Sequence, residues 1–318
     1  MNVLILGGAG FLGSNLVRRC VAENCRHITV LDSLDPLLHS TTKNLRDVWS
    51  DIRFVHGDIR DEALLAEIVA DQDVIFHCAG QTSHGLSIQY PLLDAEINCL
   101  GTLKLLEAVR RFNKDAVVVY SSSSTVIGKA RDEFVNENHP ERPLEIYSAN
   151  KGVAEKYFHI YHTRHGLKTV VLRFSNLYGP FGKGYAEFGF INYFIDRVWR
   201  NEHVKIYGKG DQTRNVMYVG DAVDILWQAT HHAELYGDTF LATGSQHLTV
   251  HEIAETIVSV FQRGQVMDIE WPDDRKLIEI GHVKLSSSKL HSITGWKPSY
   301  DFQSGLQRTK AIMEQNGG

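Results

Sequence analysis

The chain has 318 residues, of which 43% are hydrophobic and 22% charged, with a formal net charge of −5; this composition excludes a disordered chain, and at this length folding buries roughly three quarters of the unfolded surface without staples. The acidic balance and the absence of a basic run argue against a nucleic-acid partner, and no apolar run approaches the roughly 18 residues of a membrane helix. Strand-like sequence begins at Asn2, leaving no room for a signal peptide, so a cytoplasmic protein is expected.

Short apolar runs recur at 3–6, 28–31, 52–55, 74–77, 117–120 and 169–173, and runs this apolar suit strands covered on both faces. Between them, 12–23, 62–70, 92–111 and 146–164 carry apolar residues at three- and four-residue spacing and predict helices. The alternation predicts an α/β fold with a doubly wound parallel sheet. Past about residue 175 the rhythm breaks at a loop rich in Gly, Pro and Tyr. A dinucleotide-binding domain is therefore expected over 1–175, with a return segment near 215–235, and a smaller α/β substrate lobe over 176–214 and 236–318.

The first strand runs into Gly7-x-x-Gly10-x-x-Gly13 and then an apolar helix, the context a dinucleotide site requires. Gly7, Gly10 and Gly13, with Phe11 and Leu12 opening the helix, would let backbone N–H groups approach a pyrophosphate. Asp32 closes the second strand nineteen residues after Gly13, where a carboxylate accepts both ribose hydroxyls and repels a 2′-phosphate, so NAD is favoured over NADP. Asp58 and Ile59, after the third strand, either flank the adenine or start the next helix. Cys78, Ala79 and Gly80 leave the fourth strand and Ser121 the fifth, on the side where such folds bind ligands.

The cysteines at 20, 25, 78 and 99 lack metal-ligand spacing and read as buried thiols. The sixteen histidines form no HExxH motif, so no metal site is expected.

Tyr147 and Lys151 are one helical turn apart, and a tyrosine, with an ordinary pKa of about 10, becomes a useful base once a cation stabilises its phenolate. Ser123 would donate to the same substrate oxygen. Such a set moves a proton while hydride leaves the same carbon.

Taken with Asp58-Ile59, Asn98-Cys99-Leu100-Gly101-Thr102, the stretch from Ser121 to Gly128, Tyr147-Ser148-Ala149-Asn150-Lys151, the stretch from Arg173 to Pro180 and the stretch from Ile206 to Arg214, the sequence resembles the extended short-chain dehydrogenase/reductases of the nucleotide-sugar epimerase/dehydratase group over nearly its whole length. The resemblance implies a Rossmann fold, catalytic Ser123, Tyr147 and Lys151, and bound NAD. It also implies that Asn98 holds the active-site helix, and that Asn176, Arg214 and Arg275 reach a nucleotide diphosphate.

Relatives that dehydrate or decarboxylate sugars resemble one another in a carboxylic acid after the catalytic Ser or Thr, where this chain has Ser124 and Thr125. A 4-epimerase is therefore expected, acting on a UDP-hexose or UDP-hexuronate, with a dehydratase, decarboxylase or reductase as the rival enzyme and a dinucleotide-sensing regulator as the remote alternative. Lys183 either meets a C6 carboxylate or is a solvated loop charge. Gln81, Ser83 and His84 are candidates for the sugar pocket, with His84 read as a surface residue rather than a base. Members of the group pair through two helices, so a homodimer with a four-helix bundle is expected from 92–111 and 146–164, with Tyr157, Phe158, Ile160 and Tyr161 as its seam or as core.

Overall fold

The computed structural model describes residues 1–272 and 279–316. Its centre is a seven-stranded parallel sheet of β1 (Asn2–Leu6), β2 (His27–Asp32), β3 (Arg53–His56), β4 (Val74–His77), β5 (Val117–Ser123), β6 (Lys168–Phe174) and, from far along the chain, Asp238–Ala242, in the order Asp238–Ala242, β6, β5, β4, β1, β2, β3. Every pairing in it is parallel. The apolar runs explain why: Val3 and Ile5 point into one core and Leu4 and Leu6 into the other, all four fully buried. Burying such a side chain contributes roughly 1.5–3 kcal/mol, so strands apolar on both faces belong between two layers of helices.

The layers are α1 (Phe11–Ala22), α2 (Glu62–Ile68), α3 (His84–Gln89), α4 (Pro91–Asp94), α5 (Thr102–Phe112) and α6 (Ile146–His165). From β1 the chain winds through β2 and β3 to one side, then through β4, β5 and β6 to the other. This reversal opens a crevice at the carboxyl ends of β1 and β4.

The stretch 92–111, expected as one helix, is wound in three pieces, with a π-helix over Ala95–Gly101 between α4 and α5. Asn98 sits in that wider turn, and Thr102 Oγ1 donates to its carbonyl oxygen at 2.7 Å. On α6, Phe158 and Tyr161 are buried in the core while Ile160 is exposed, so only part of the expected seam faces outward.

Beyond β6 lie β7 (Asn176–Tyr178), α7 (Phe190–Trp199), β8 (Val204–Tyr207), β9 (Thr213–Tyr218), α8 (Val219–Ala229), β10 (Asp238–Ala242), β11 (Gln246–Thr249), α9 (Val250–Phe261), β12 (Val266–Ile269), α10 (Ser288–Thr294) and α11 (Phe302–Gln315). β7, β9 and β11 form one small sheet, β8 and β12 another. β10 corrects the expected boundary, because it belongs to the main sheet rather than to the lobe assigned to 236–318. It begins with an exposed Asp238 and a half-buried Thr239, so its apolar run is only Phe240, Leu241 and Ala242. Among the described residues no helix is long and apolar enough to cross a membrane.

Candidate functional site

A cavity of about 260 Å³ runs along the carboxyl ends of the central strands, from the glycine turn after β1 to the start of α6. Of the residues singled out from sequence, Gly7, Gly10, Phe11, Leu12, Gly13, Asp32, Asp58, Ile59, Cys78, Ala79, Gly80, Ser121, Ser123, Ser124, Thr125, Tyr147, Lys151, Asn176 and Lys183 all line it. Ser83, Asn98 and Arg214 are not in its wall, and Arg275 lies outside the described residues.

At one end, Gly7 takes a left-handed φ of 75°, and a Cβ on Gly13 would stand 2.2 Å from the Gly7 carbonyl oxygen. Only glycine allows this approach. Gly10 opens α1 without a side-chain cap, so the first backbone N–H groups of the helix remain available to an anion at the cavity wall. Asp32, at the end of β2, accepts from Ala9 N at 2.9 Å and Leu34 N at 3.0 Å. Burial pushes its carboxyl pKa up, against those bonds and the nearby Lys183 charge. Asp58 is forked by Arg60 at 2.7 and 2.9 Å, which holds it below the usual carboxylate range.

Lys183 is neither at the sugar end nor solvated. Its ammonium donates to the Leu38 carbonyl oxygen at 2.5 Å and lies 4.3 Å from the Phe188 ring centroid. Burial lowers its pKa to about 8, opposed by Asp32. Tyr185 stacks on His39 with ring centroids 4.0 Å apart, and Asn15 Nδ2 donates to the Pro180 carbonyl oxygen at 3.0 Å. The 180–188 loop therefore clasps the segment after β2 across the Asp32 end of the cavity.

At the other end α6 presents Tyr147 and Lys151, both buried. Lys151 Nζ donates to the Ser121 carbonyl oxygen at 2.6 Å and lies 4.2 Å from the Tyr120 ring centroid. Burial lowers the Lys151 pKa to about 8, opposed by Glu155, Cys78 and Asp94. Burial raises that of the Tyr147 phenol, opposed by a hydrogen bond with Ser123.

Asn98 Nδ2 donates to the Gln81 carbonyl oxygen at 2.9 Å, and its Oδ1 has no partner among the described residues. Ser83 is fully buried and caps α3, accepting from Leu86 N at 3.1 Å, which removes it from the sugar pocket. Arg214 pairs with Glu279 at 2.7 Å and donates to the Thr213 and Gly281 carbonyl oxygens at 3.0 and 2.5 Å, so its fork is engaged away from the cavity. Asn176 lines the cavity while donating to the Asn215 carbonyl oxygen at 2.9 Å.

Sequence reasoning missed Asp94 and Glu145 beside Tyr147, and read His84 as a surface residue. His84 lines the cavity, with its ring 5.2 Å from that of Tyr147, and its Nδ1 is 2.7 Å from Glu145 Oε2. Asp94 is fully buried and accepts from Gln81 Nε2 and Asn150 Nδ2, each at 2.7 Å. The signal for Glu145 was its place two residues before Tyr147; its pairing with His84, sixty-one positions away, has no local signature.

Residues 3–240 match the family model described as NAD dependent epimerase/dehydratase family. The chain is 34% identical to a putative UDP-glucose 4-epimerase of Methanocaldococcus jannaschii, covering 99% of each. It superposes with a TM-score of 0.90 on a UDP-glucose 4-epimerase of Thermotoga maritima solved with UDP-glucose, at 27% identity over 100% of both chains. A dTDP-glucose 4,6-dehydratase of Streptomyces venezuelae, solved with NAD, superposes with a TM-score of 0.89 at 27% identity, over 99% of this chain and 98% of that one.

Proposed function

The chain belongs to the NAD-dependent epimerase/dehydratase family, with NAD as its cofactor, and within that family we propose that it is a nucleotide-sugar 4-epimerase. The observation that carries the reading is the wall around Tyr147. Ser123, Ser124 and Thr125 line it, and among the described residues no carboxyl side chain lines the cavity there, Glu145 standing behind Ser148. Expelling a C6 hydroxyl as water requires an acid beside it. A wall of hydroxyls suits a reaction that only moves hydrogen at C4.

The glycine turn fits the cofactor, since side chains there would fill the cradle that Gly7 and Gly13 keep open. The N–H groups at the start of α1 would hold the diphosphate, Asp32 would take the ribose hydroxyls, and Asp58 and Ile59 would flank the adenine. NAD held there would supply the hydride acceptor and donor for C4 of the sugar. Tyr147 takes the proton of the C4 hydroxyl and gives it back, Lys151 stabilises the phenolate, and Ser123 fixes the sugar oxygen. Asn176 and the Ser124–Thr125 wall contact the nucleotide sugar, which turns over while its diphosphate stays anchored.

The test is proton NMR with mass spectrometry on the purified protein in heavy water, given NAD and a panel of UDP-, dTDP-, GDP- and CDP-sugars. A C4 epimer of unchanged mass without carbon-bound deuterium supports the reading. A product lighter by water or carbon dioxide overturns it in favour of a dehydratase or decarboxylase.

A further inference from the structure

Two segments far apart in the chain meet beside Tyr147. His84 opens α3 and lines the cavity, its ring edge-on to that of Tyr147 with centroids 5.2 Å apart. Glu145 stands at the N-cap of α6 yet makes no capping hydrogen bond; one carboxylate oxygen accepts from Ser148 and the other lies 2.7 Å from His84 Nδ1. The carboxylate side chain is 9% exposed and the imidazole 38%, so the acid sits behind the ring and the ring faces the open side. Nδ1 is thereby occupied, and Nε2 has no hydrogen-bond partner among the described residues. We propose that His84, held by Glu145, reads the sugar: Nε2 takes a hydroxyl flanking C4, on C3 or C6, and the pair turns away a sugar whose C6 is a carboxylate. This role rests on the reading that a nucleotide sugar lies with its C4 at Tyr147.

The ring is fixed in place by the fold itself. Ser83 caps α3 by accepting from Leu86 N at 3.1 Å, and Gln81 Nε2 donates to the Ser83 carbonyl oxygen and to Asp94, each at 2.7 Å. The backbone of His84 is therefore anchored, while Glu145 and Tyr147 restrain its side chain. Burial opposes ionisation of Glu145, but His84 and Ser148 outweigh it and hold the carboxyl below its usual range. An ionised Glu145 keeps a proton on Nδ1. Nε2 then offers a lone pair when the ring is neutral and an N–H when it is charged. A sugar hydroxyl, donor and acceptor at once, pairs with either.

Charge excludes the carboxylate. With a neutral ring the pair carries one negative charge, and with a charged ring it carries none. In neither state does it present the net positive charge that a carboxylate needs when it leaves water. The two ammonium groups lining the cavity are already engaged, Lys151 with the Ser121 carbonyl oxygen and Lys183 with the Leu38 carbonyl oxygen at the Asp32 end. Among the described residues of the wall, no ammonium is left for a C6 carboxylate, and Glu145 would repel it. A neutral hexose meets no such penalty.

The test reads binding rather than turnover. Full-length Tyr147→Phe protein, saturated with NAD, keeps the ring and loses the proton acceptor; it is titrated by calorimetry with UDP, UDP-glucose, the 3-deoxy and 6-deoxy forms of UDP-glucose, and UDP-glucuronate. If UDP itself does not bind, the corresponding dTDP compounds take its place. Adding His84→Phe is expected to weaken UDP-glucose about fivefold to tenfold and to leave UDP unchanged. It costs nothing further for one of the two deoxy sugars, whose missing hydroxyl is the one His84 takes. Adding His84→Gln instead, which keeps a hydrogen-bonding group, recovers part of the loss. Adding Glu145→Gln removes the charge and narrows the preference for UDP-glucose over UDP-glucuronate severalfold. Equal weakening of UDP and UDP-glucose, or equal losses for UDP-glucose and both deoxy sugars, overturns the sugar contact and leaves His84 as a tie between α3 and α6. A preference that Glu145→Gln does not change overturns the exclusion of the carboxylate, and this variant decides alone if the His84 variants do not fold. Epimerisation is scored separately on the wild type. The expected binding pattern without a C4 epimer overturns the proposed reaction and leaves the sugar contact standing, whereas no binding in either series overturns both.

Discussion

The ammonium of Lys151 donates to the carbonyl oxygen of Ser121 at 2.6 Å, joining α6 to the end of β5 at the point where Ser123 leaves the sheet. That bond holds the cation against the Tyr120 ring, at the cost of desolvating it. The Lys151 pKa falls from 10.5 to about 8. Between these values the unfolded chain keeps the proton and the folded chain releases it, so stability rises with pH across that window and is flat below it. Denaturant midpoints of wild type and Lys151→Met, without cofactor, should therefore draw apart in favour of wild type from about pH 8 towards 10.5. A constant difference would mean the cation is not buried.

Gly13→Ala sets a Cβ 2.2 Å from the Gly7 carbonyl oxygen and 2.7 Å from Gly8 Cα. Both obstacles are backbone, so the turn itself must move. Overpacking of this kind costs about 1–3 kcal/mol, and a distorted turn also displaces the N–H groups at the start of α1. Thermal unfolding should fall by several degrees, and titration calorimetry should show NAD affinity falling about tenfold or more. Unchanged NAD binding would remove the glycine turn from the cofactor site.

Lys183→Met separates two roles for one cation. The sequence allowed a carboxylate-binding lysine for a hexuronate, four residues after Gly179. The folded chain puts its ammonium on the Leu38 carbonyl oxygen near Asp32, under a loop whose Tyr185 stacks on His39. The substitution should weaken NAD binding and leave the preference between UDP-glucuronate and UDP-glucose unchanged. A loss confined to UDP-glucuronate would return Lys183 to the sugar.

That contrast marks what could be read in advance. Strands β1, β2, β4, β5 and β6 were legible because most of each is buried and mainly apolar, whereas β3 is only half-buried and was legible from Phe54 and Val55. The glycine turn and the Tyr147–Lys151 spacing were legible because the chemistry fixes them locally. β10 was not, because it enters the sheet at the edge from a chain segment that had already left it. Glu145 with His84, Lys183 with Leu38, and Arg214 with Glu279 are pairings between distant segments, and periodicity carries no information about them. Ser83 misled because a polar residue next to a pocket also makes a good helix cap.

Arg173 tests what holds α6 against the sheet. It is buried on β6, and its Nε lies 3.0 Å from both carboxylate oxygens of the equally buried Glu155 of α6, which also receives the Ser122 hydroxyl. Glu141 takes the far end of the fork. Arg173→Leu leaves Glu155 charged and largely unpaired out of water, which costs about 3–5 kcal/mol. Arg173→Leu combined with Glu155→Leu should recover much of that loss, because no lone charge remains. A double variant no more stable than the single one would show that the ion pair contributes more than mutual neutralisation.

Leu92, Leu100, Val153 and Ile160 are exposed on α4, the π-helix and α6, although each is apolar. Apolar side chains exposed along neighbouring helices mark a surface that another chain covers. A second copy presenting the same helices would bury them in a four-helix bundle. Sedimentation of the wild-type protein at micromolar concentration is expected to give a dimer. Ile160→Asp is expected to give monomers, because an unpaired carboxylate at the centre of such a seam is costly to desolvate, while circular dichroism stays unchanged because Ile160 does not enter the core. Two results would remove the bundle: a wild-type monomer, or a dimer that survives Ile160→Asp together with Val153→Asp. In either case the exposed apolar residues would belong to another contact, and the cavity, built within one chain, would keep its proposed chemistry.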